Sequence, residues 1–149
     1  MRIEVRERVA RPSVDVFEAL ARPDLYLSRW ARGVLSATRL PDSEDGPSFR
    51  ILGRDIGGKV EWLYEVTTSE PGVTLAARAR GGPIAFSEVY ELEAVEGGTN
   101  IRLTQDLRLG AFRAISPVVS LVWPRLMQGN LRGLKRLVES KSFAHGGVA

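Results

Sequence analysis

The sequence contains no cysteine and a single histidine, His145, set in a His-Gly-Gly-Val-Ala tail. Without cysteine there is no disulfide, no thiolate nucleophile and no cysteine-bound metal. One tail histidine supplies neither the rigidly held base of a Ser-His-Asp triad nor the nitrogen ligands of a zinc site. No metal and no organic cofactor is therefore expected. Lysine is nearly missing too: of 21 basic residues only Lys59, Lys135 and Lys141 are lysines, leaving 18 arginines. No apolar run reaches the roughly 18 residues of a membrane span. The opening Met1-Arg2-Ile3-Glu4 alternates charge with apolar residues and does not read as a signal peptide. A cytoplasmic location is the expectation.

What is present reads as one globular domain over 1–149, with a flexible tail after about residue 142. The apolar fraction, 44%, and the charged fraction, 26%, suit a chain with its own core. A net charge of +3 is small, and the hairpins derived below give Arg50, Arg54 and Arg102 an acidic neighbour. Nucleic acid is not an expected partner.

Residues 2–10 alternate, with Ile3, Val5 and Val9 on one face, as a half-buried strand does. Pro12 and Ser13 open a short helix carrying Val14, Phe17 and Leu20 at helical spacing. Pro23 ends it, and Asp24 is placed to cap a second short helix ending near Trp30. Gly33 leads into a strand over about 34–40, and Pro41 to Pro47 is loop. From there Gly57-Gly58, Pro71-Gly72, Gly81-Gly82 and Gly97-Gly98 punctuate alternating segments, the signature of hairpins.

Two-residue loops at three of these sites make testable pairings. Gly57-Gly58 sets Arg54 opposite Glu61 and Arg50 opposite Glu65 outside, and Ile51 opposite Tyr64 and Gly53 opposite Trp62 inside. Gly97-Gly98 sets Glu93 opposite Arg102, Leu92 opposite Leu103 and Tyr90 opposite Gln105. Gly81-Gly82 sets Ala79 opposite Ile84 and Ala77 opposite Phe86. All three agree on which face is apolar, and a one-residue slip would invert each.

A long helix is expected over about 115–141. Arg125, Gln128, Arg132, Lys135, Arg136 and Glu139 cluster on one face. Val119, Trp123, Leu126, Met127, Asn130, Leu134 and Leu137 form the other. Pro117 suits the helix start, whereas Pro124 should kink the helix or mark its true beginning. Gly129 and Gly133 allow close approach to the sheet.

The order is then strand, two short helices, six strands, long helix. That order, residues 3–20, the pair Asp24 and Trp30, the Tyr90-Glu-Leu and Gly97-Gly98-Thr99 hairpin, and the helix end Asn130–Glu139 together resemble the START-like (SRPBCC) superfamily. Within it the chain resembles the polyketide cyclase/dehydrase-like group and its Bet v 1-like relatives. The resemblance covers nearly the whole chain. It implies an α+β helix-grip fold, a curved antiparallel sheet of about seven strands around the C-terminal helix, with a cavity between them. It also implies lipid-like, sterol, hormone or polyketide ligands, with enzymes among some members.

The inward phase gives a cavity wall that includes Phe49, Val66, Leu75, Leu92, Leu103 and Leu107. Its expected ligand-binding residues are Ile51, Gly53, Trp62, Tyr64, Ala77, Phe86, Tyr90, Gln105, Trp123, Met127 and Asn130. Small residues beside rings either enclose free volume or leave the rings to fill it. Polar groups on this apolar face must be hydrogen-bonded or face a ligand. Glu88 is the candidate catalytic residue: a carboxylate in an apolar pocket has a raised pKa and can act as a general acid or base. It could equally pair with an arginine or lie at the sheet's open end. Gln105 could bond the Tyr90 hydroxyl, Asn130 could tie the helix to a strand, and Asp55 falls inward near a turn.

Three functions follow in order. The first is binding of a small hydrophobic or amphipathic molecule. The second is a cyclase or dehydratase using Glu88, with Tyr64 and Tyr90 holding a developing enolate. The third is an interaction module, resting on the basic stripe Arg125, Arg132, Lys135 and Arg136 and on the apolar segment 114–123. That segment could be buried, gate the cavity or join two copies, so the chain is a monomer or a homodimer; a membrane surface ranks below a small ligand as partner.

Overall fold

Alternating residues build seven strands in the computed structural model, which describes residues 1–55, 58–141 and 143. They are β1 (Arg2–Val9), β2 (Val34–Leu40), β3 (Ser48–Asp55), β4 (Gly58–Glu70), β5 (Thr74–Arg80), β6 (Ala85–Val95) and β7 (Gly98–Arg108). All pair antiparallel in one sheet, in the order β1-β7-β6-β5-β4-β3-β2. Helices α1 (Ser13–Ala21) and α2 (Pro23–Trp30) follow β1, and a 3-10 turn over Gly110–Ile115 leads into α3 (Ser116–Glu139). This is the expected α+β helix-grip architecture.

The apolar face lies where the period-2 pattern puts it. Phe49, Ile51, Tyr64, Val66, Leu75, Ala77, Ala79, Tyr90, Leu92, Leu103 and Leu107 are all buried. The registers, however, differ from the expected ones by two residues. Tyr64 faces Phe49 and Trp62 faces Ile51; Tyr90 faces Leu103 and Glu88 faces Gln105; Ala79 faces Phe86 and Ala77 faces Glu88. A slip of two keeps every side chain on its own face, so alternation alone cannot see it. Loop length decides it: Gly58 and Gly98 are ladder residues, paired with Asp55 and Val95. Gly57 and the Asp55 side chain, for which expectations were stated, lie outside the described residues, as does His145.

Outer-face ion pairs move with the registers. Arg50 meets Glu61 at 3.6 Å, where Glu65 was expected. Glu65 instead receives Arg78 at 3.4 Å and Arg80 at 3.2 Å from the neighbouring strand. Arg102 pairs with Glu91, not Glu93.

The helices depart from expectation at their edges. In α1, Val14 is exposed, and Val16, Phe17, Ala19 and Leu20 are buried. Pro23 opens α2 rather than only ending α1, and Asp24 sits in its first turn, bonded to Arg22 rather than capping. Helix α3 runs unbroken through Pro124. Its buried residues are Val119, Leu131, Leu134, Leu137 and Val138, while Leu126, assigned inward, is exposed. The physical reason is β1, the strand that α3 packs against most extensively: Leu131 and Val138 lie beside Gln128 and Lys135, which bond that strand, while α2 approaches α3 on the opposite flank. Gly133 permits that approach: a Cβ there would lie 2.4 Å from the Trp30 carbonyl oxygen.

The polar face of α3 does more than meet water. Strand β1 is a sheet edge with unpaired backbone groups. Gln128 Nε2 donates to the Arg6 carbonyl at 2.8 Å, and Lys135 Nζ donates to the Arg8 carbonyl at 3.1 Å. The Ala10 N–H donates to Glu139 at 2.7 Å. That bond, with the one from Lys135, holds the Glu139 carboxyl below its ordinary range. Past α3, Phe143 is buried, its ring centroid 5.1 Å from that of Tyr26. The rest of the expected tail lies outside the described residues. Among the described residues no helix is long and apolar enough to cross a membrane.

Candidate functional site: an apolar cavity with one polar chain

Between the sheet, α2 and α3 lies a cavity of about 340 Å³. Strands β3, β4 and β6 line it with Ile51, Trp62, Tyr64, Phe86, Glu88 and Tyr90. Strand β7 adds Leu103 and Gln105, and α3 adds Trp123, Leu126, Met127, Asn130 and Leu131. Two expected residues are not on its wall. Gly53 lies under the Trp62 ring, where a Cβ would come 2.9 Å from the indole. Ala77 is covered within the ladder between Val66 and Glu88.

Sequence patterning missed the wall contributed by the short helices. Leu20, Pro23, Leu27, Trp30 and Ala31 close one side, and Pro83, Ile84 and Phe112 add to the lining. Leu27 and Trp30 stand three apart on α2, a spacing that marks a shared apolar face. That was the available signal.

The polar residues of the inward face join into one chain of hydrogen bonds. Trp123 Nε1 donates to Gln105 Oε1 at 2.8 Å. Gln105 Nε2 donates to Glu88 Oε1 at 2.8 Å, and the Tyr64 hydroxyl donates to Glu88 Oε2. The chain thus runs from α3 through β7 and β6 to β4. Strand β5 lies between β4 and β6, and the residues it presents inward opposite Tyr64 and Glu88 are Ala79 and Ala77. Strands two apart are separated by about 9–10 Å. A tyrosine can bridge that gap to a glutamate only over side chains as short as alanine.

Gln105 therefore bonds Glu88 and Trp123, rather than the Tyr90 hydroxyl. Asn130 ties α3 not to a strand but to the Arg32 N–H, which donates to its Oδ1 at 3.0 Å. Glu88 has neither an arginine partner nor an open position; it is 6% exposed. Burial pushes its carboxyl above the ordinary value, against the opposing bonds from Tyr64 and Gln105. Burial, reinforced by the Glu88 charge, also raises the Tyr64 and Tyr90 hydroxyls well above their ordinary value. Both tyrosines stay neutral phenols at neutral pH. A carboxyl that keeps its proton becomes a donor as well as an acceptor.

Two further polar groups belong to rings of the wall. The indole N–H groups of Trp30 and Trp62 are buried without an acceptor among the described residues, and both rings line the wall. Trp62 also needs Gly82, where a Cβ would fall 2.1 Å from its Nε1. Across the cavity Phe86 meets Trp123 edge to face, with centroids 6.5 Å apart. Among the described residues no three of His, Cys, Asp and Glu gather as a metal site.

Comparison with known proteins places this geometry. The family described as polyketide cyclase / dehydrase and lipid transport matches residues 1–139. Among solved structures, the Zhui aromatase/cyclase from Streptomyces sp. R1128 superposes with a TM-score of 0.78 at 18% identity, covering 98% of each chain. A protein from Thermus thermophilus, TTHA0849, gives 0.73 at 19% identity, covering 93% of this chain and 97% of that one. Ara h 8.0201 gives 0.75 at 16% identity, with 93% and 97% covered. At such identities the likeness is one of fold. No curated protein sequence matches the chain significantly.

Proposed function

The chain belongs to the polyketide cyclase / dehydrase and lipid transport family, and from that premise we propose that it binds a small, largely apolar molecule carrying one polar end. The observation that carries this reading is the single chain Tyr64–Glu88–Gln105–Trp123 in a largely apolar cavity. Apolar walls supply affinity, and a few placed polar groups fix orientation. At about 340 Å³ the cavity is at the small end of ligand sites.

Native mass spectrometry of freshly purified protein, beside the denatured sample, tests the reading. A bound mass released on denaturation supports it and gives the ligand's size. No bound mass, together with no binding from a panel of amphipathic phenols, ketones and fatty acids, would sink it.

A second reading rests on Glu88 itself. A buried carboxyl with a raised pKa beside a phenol is equipped to move a proton during cyclisation or dehydration of a polyketide-like substrate. In that case Glu88→Gln should still bind substrate but lose turnover. Unchanged turnover in that variant would remove Glu88 from the mechanism.

A further inference from the structure

The first half of α3 and the turn before it leave an apolar surface uncovered. Phe112, Ile115, Val118, Leu121, Val122 and Leu126 are between 37% and 57% exposed. On α3, Val118 stands three and four residues before Leu121 and Val122, and Val122 four before Leu126, so they are neighbours along one stripe. Large apolar groups gathered in this way mark a contact surface.

Charge identifies the contact. From Asp106 to Glu139 the chain carries no acidic residue between them, but it carries Arg108, Arg113, Arg125, Arg132, Lys135 and Arg136. Arg113 lies within the apolar turn, and Arg125 stands four residues after Leu121. Elsewhere the arginines are largely paired, as Arg2, Arg6, Arg11, Arg22, Arg39, Arg50, Arg78, Arg80 and Arg102 are. Among the described residues Arg108, Arg113, Arg125, Arg132 and Arg136 have no acidic partner. Exposed apolar side chains set among unpaired arginines match a surface that is apolar inside and anionic outside. A second copy would bring the same unpaired arginines against these and would be repelled.

The patch is also continuous with the cavity. Phe112 and Leu126 are exposed on the surface and line the cavity wall.

We propose that the turn 110–115 and the first half of α3 form a docking face for an anionic lipid bilayer, with Phe112 and Leu126 placing the cavity's rim against it. The apolar residues enter the headgroup boundary, and Arg113 and Arg125 meet lipid phosphates. The exposed residues of the face make no bond in the polar chain around Glu88, whose Trp123 lies on the cavity side of the same helix, so docking stands or falls independently of what the cavity binds.

Flotation tests this with vesicles of phosphatidylcholine alone and of phosphatidylcholine with about 30% phosphatidylglycerol, the mixture carrying the anionic charge that basic side chains seek. The wild type should float with the mixed vesicles, bind the neutral ones at least about tenfold more weakly, and release as salt rises. A Val118→Glu/Leu121→Glu variant should stay unbound, and Arg113→Glu/Arg125→Glu should lose about tenfold or more on the mixed vesicles. These side chains are exposed, and an unchanged circular dichroism spectrum shows that each variant is folded. Wild type that fails to float with the mixed vesicles overturns the proposal, as does a Val118→Glu/Leu121→Glu variant that floats like it. A wild-type dimer that this variant makes monomeric overturns it too, because a second copy would then be the occupant.

Discussion

At the residue scale the decisive contact is the one between Tyr64 and Glu88. The folded protein holds the Glu88 proton more tightly than the unfolded chain does, because burial raises its pKa above the ordinary 4.5. By linkage, protons then stabilise the fold. The contribution is fully present below about pH 4.5, the unfolded value, and is lost as pH rises through the folded value. Urea unfolding of wild type and Glu88→Gln across pH should show this directly. Wild-type stability relative to the variant is flat at acid pH and declines above it; a flat difference throughout would contradict the raised pKa. Glutamine can keep both bonds, accepting from Gln105 and donating to the Tyr64 oxygen, so the variant should fold. Tyr64→Phe removes a bond that opposes the burial effect. It should push the Glu88 titration, followed by NMR of the labelled carboxyl, further upward, at a stability cost of about 1–3 kcal/mol.

At the scale of elements, two helical glycines should respond with opposite sign. Gly133→Ala would set a methyl group 2.4 Å from the Trp30 carbonyl oxygen and force α2 away from α3. A cost of about 1–3 kcal/mol is expected, more than the gain of about 1 kcal/mol in helix propensity. Gly129→Ala meets nothing within 4 Å and should keep that gain. Thermal melts of the two variants decide the matter; equal shifts would mean that α2 yields easily. Strand β5 offers the parallel test in the sheet. Ala79→Leu places a branched side chain in the gap that Tyr64 spans, and it should break the Tyr64–Glu88 bond while leaving the ladder formed. The readout is again the Glu88 titration, which should move as it does in Tyr64→Phe.

For the whole molecule, the cavity couples folding to binding. A ligand at about 100 times its Kd should add about 2.7 kcal/mol to the unfolding free energy. Met127→Trp, on the cavity wall, should abolish that increment and leave the unliganded protein close to wild type in stability. An increment that survives the substitution would place the ligand elsewhere. The apolar half of α3 and the half that caps the β1 edge divide one helix between two tasks. Gln128, Lys135 and Glu139 hold the sheet closed at its edge, while Val118 and Leu121 face outward.

The sequence by itself determined the kinds of element, their order and the apolar face of every strand except β2, because those depend on local periodicity. Alternation at period 2 and a long helical stripe survive any tertiary arrangement. It also narrowed the side chains available to a site, since there is no cysteine and the one histidine stands in the tail. Only the tertiary structure decided the registers, because a two-residue slip keeps the same faces and thus the same pattern. That slip is what sets Glu88 opposite Gln105. Only the tertiary structure could join Tyr64 to Glu88, which are separated by a whole intervening strand and meet because two alanines leave the way open. Likewise the arc of α3 that is buried, including Leu131 and Val138, was set by the elements packed around it, β1 above all. A helix's own periodicity gives the width of its apolar stripe, but its neighbours determine which part of that stripe is covered.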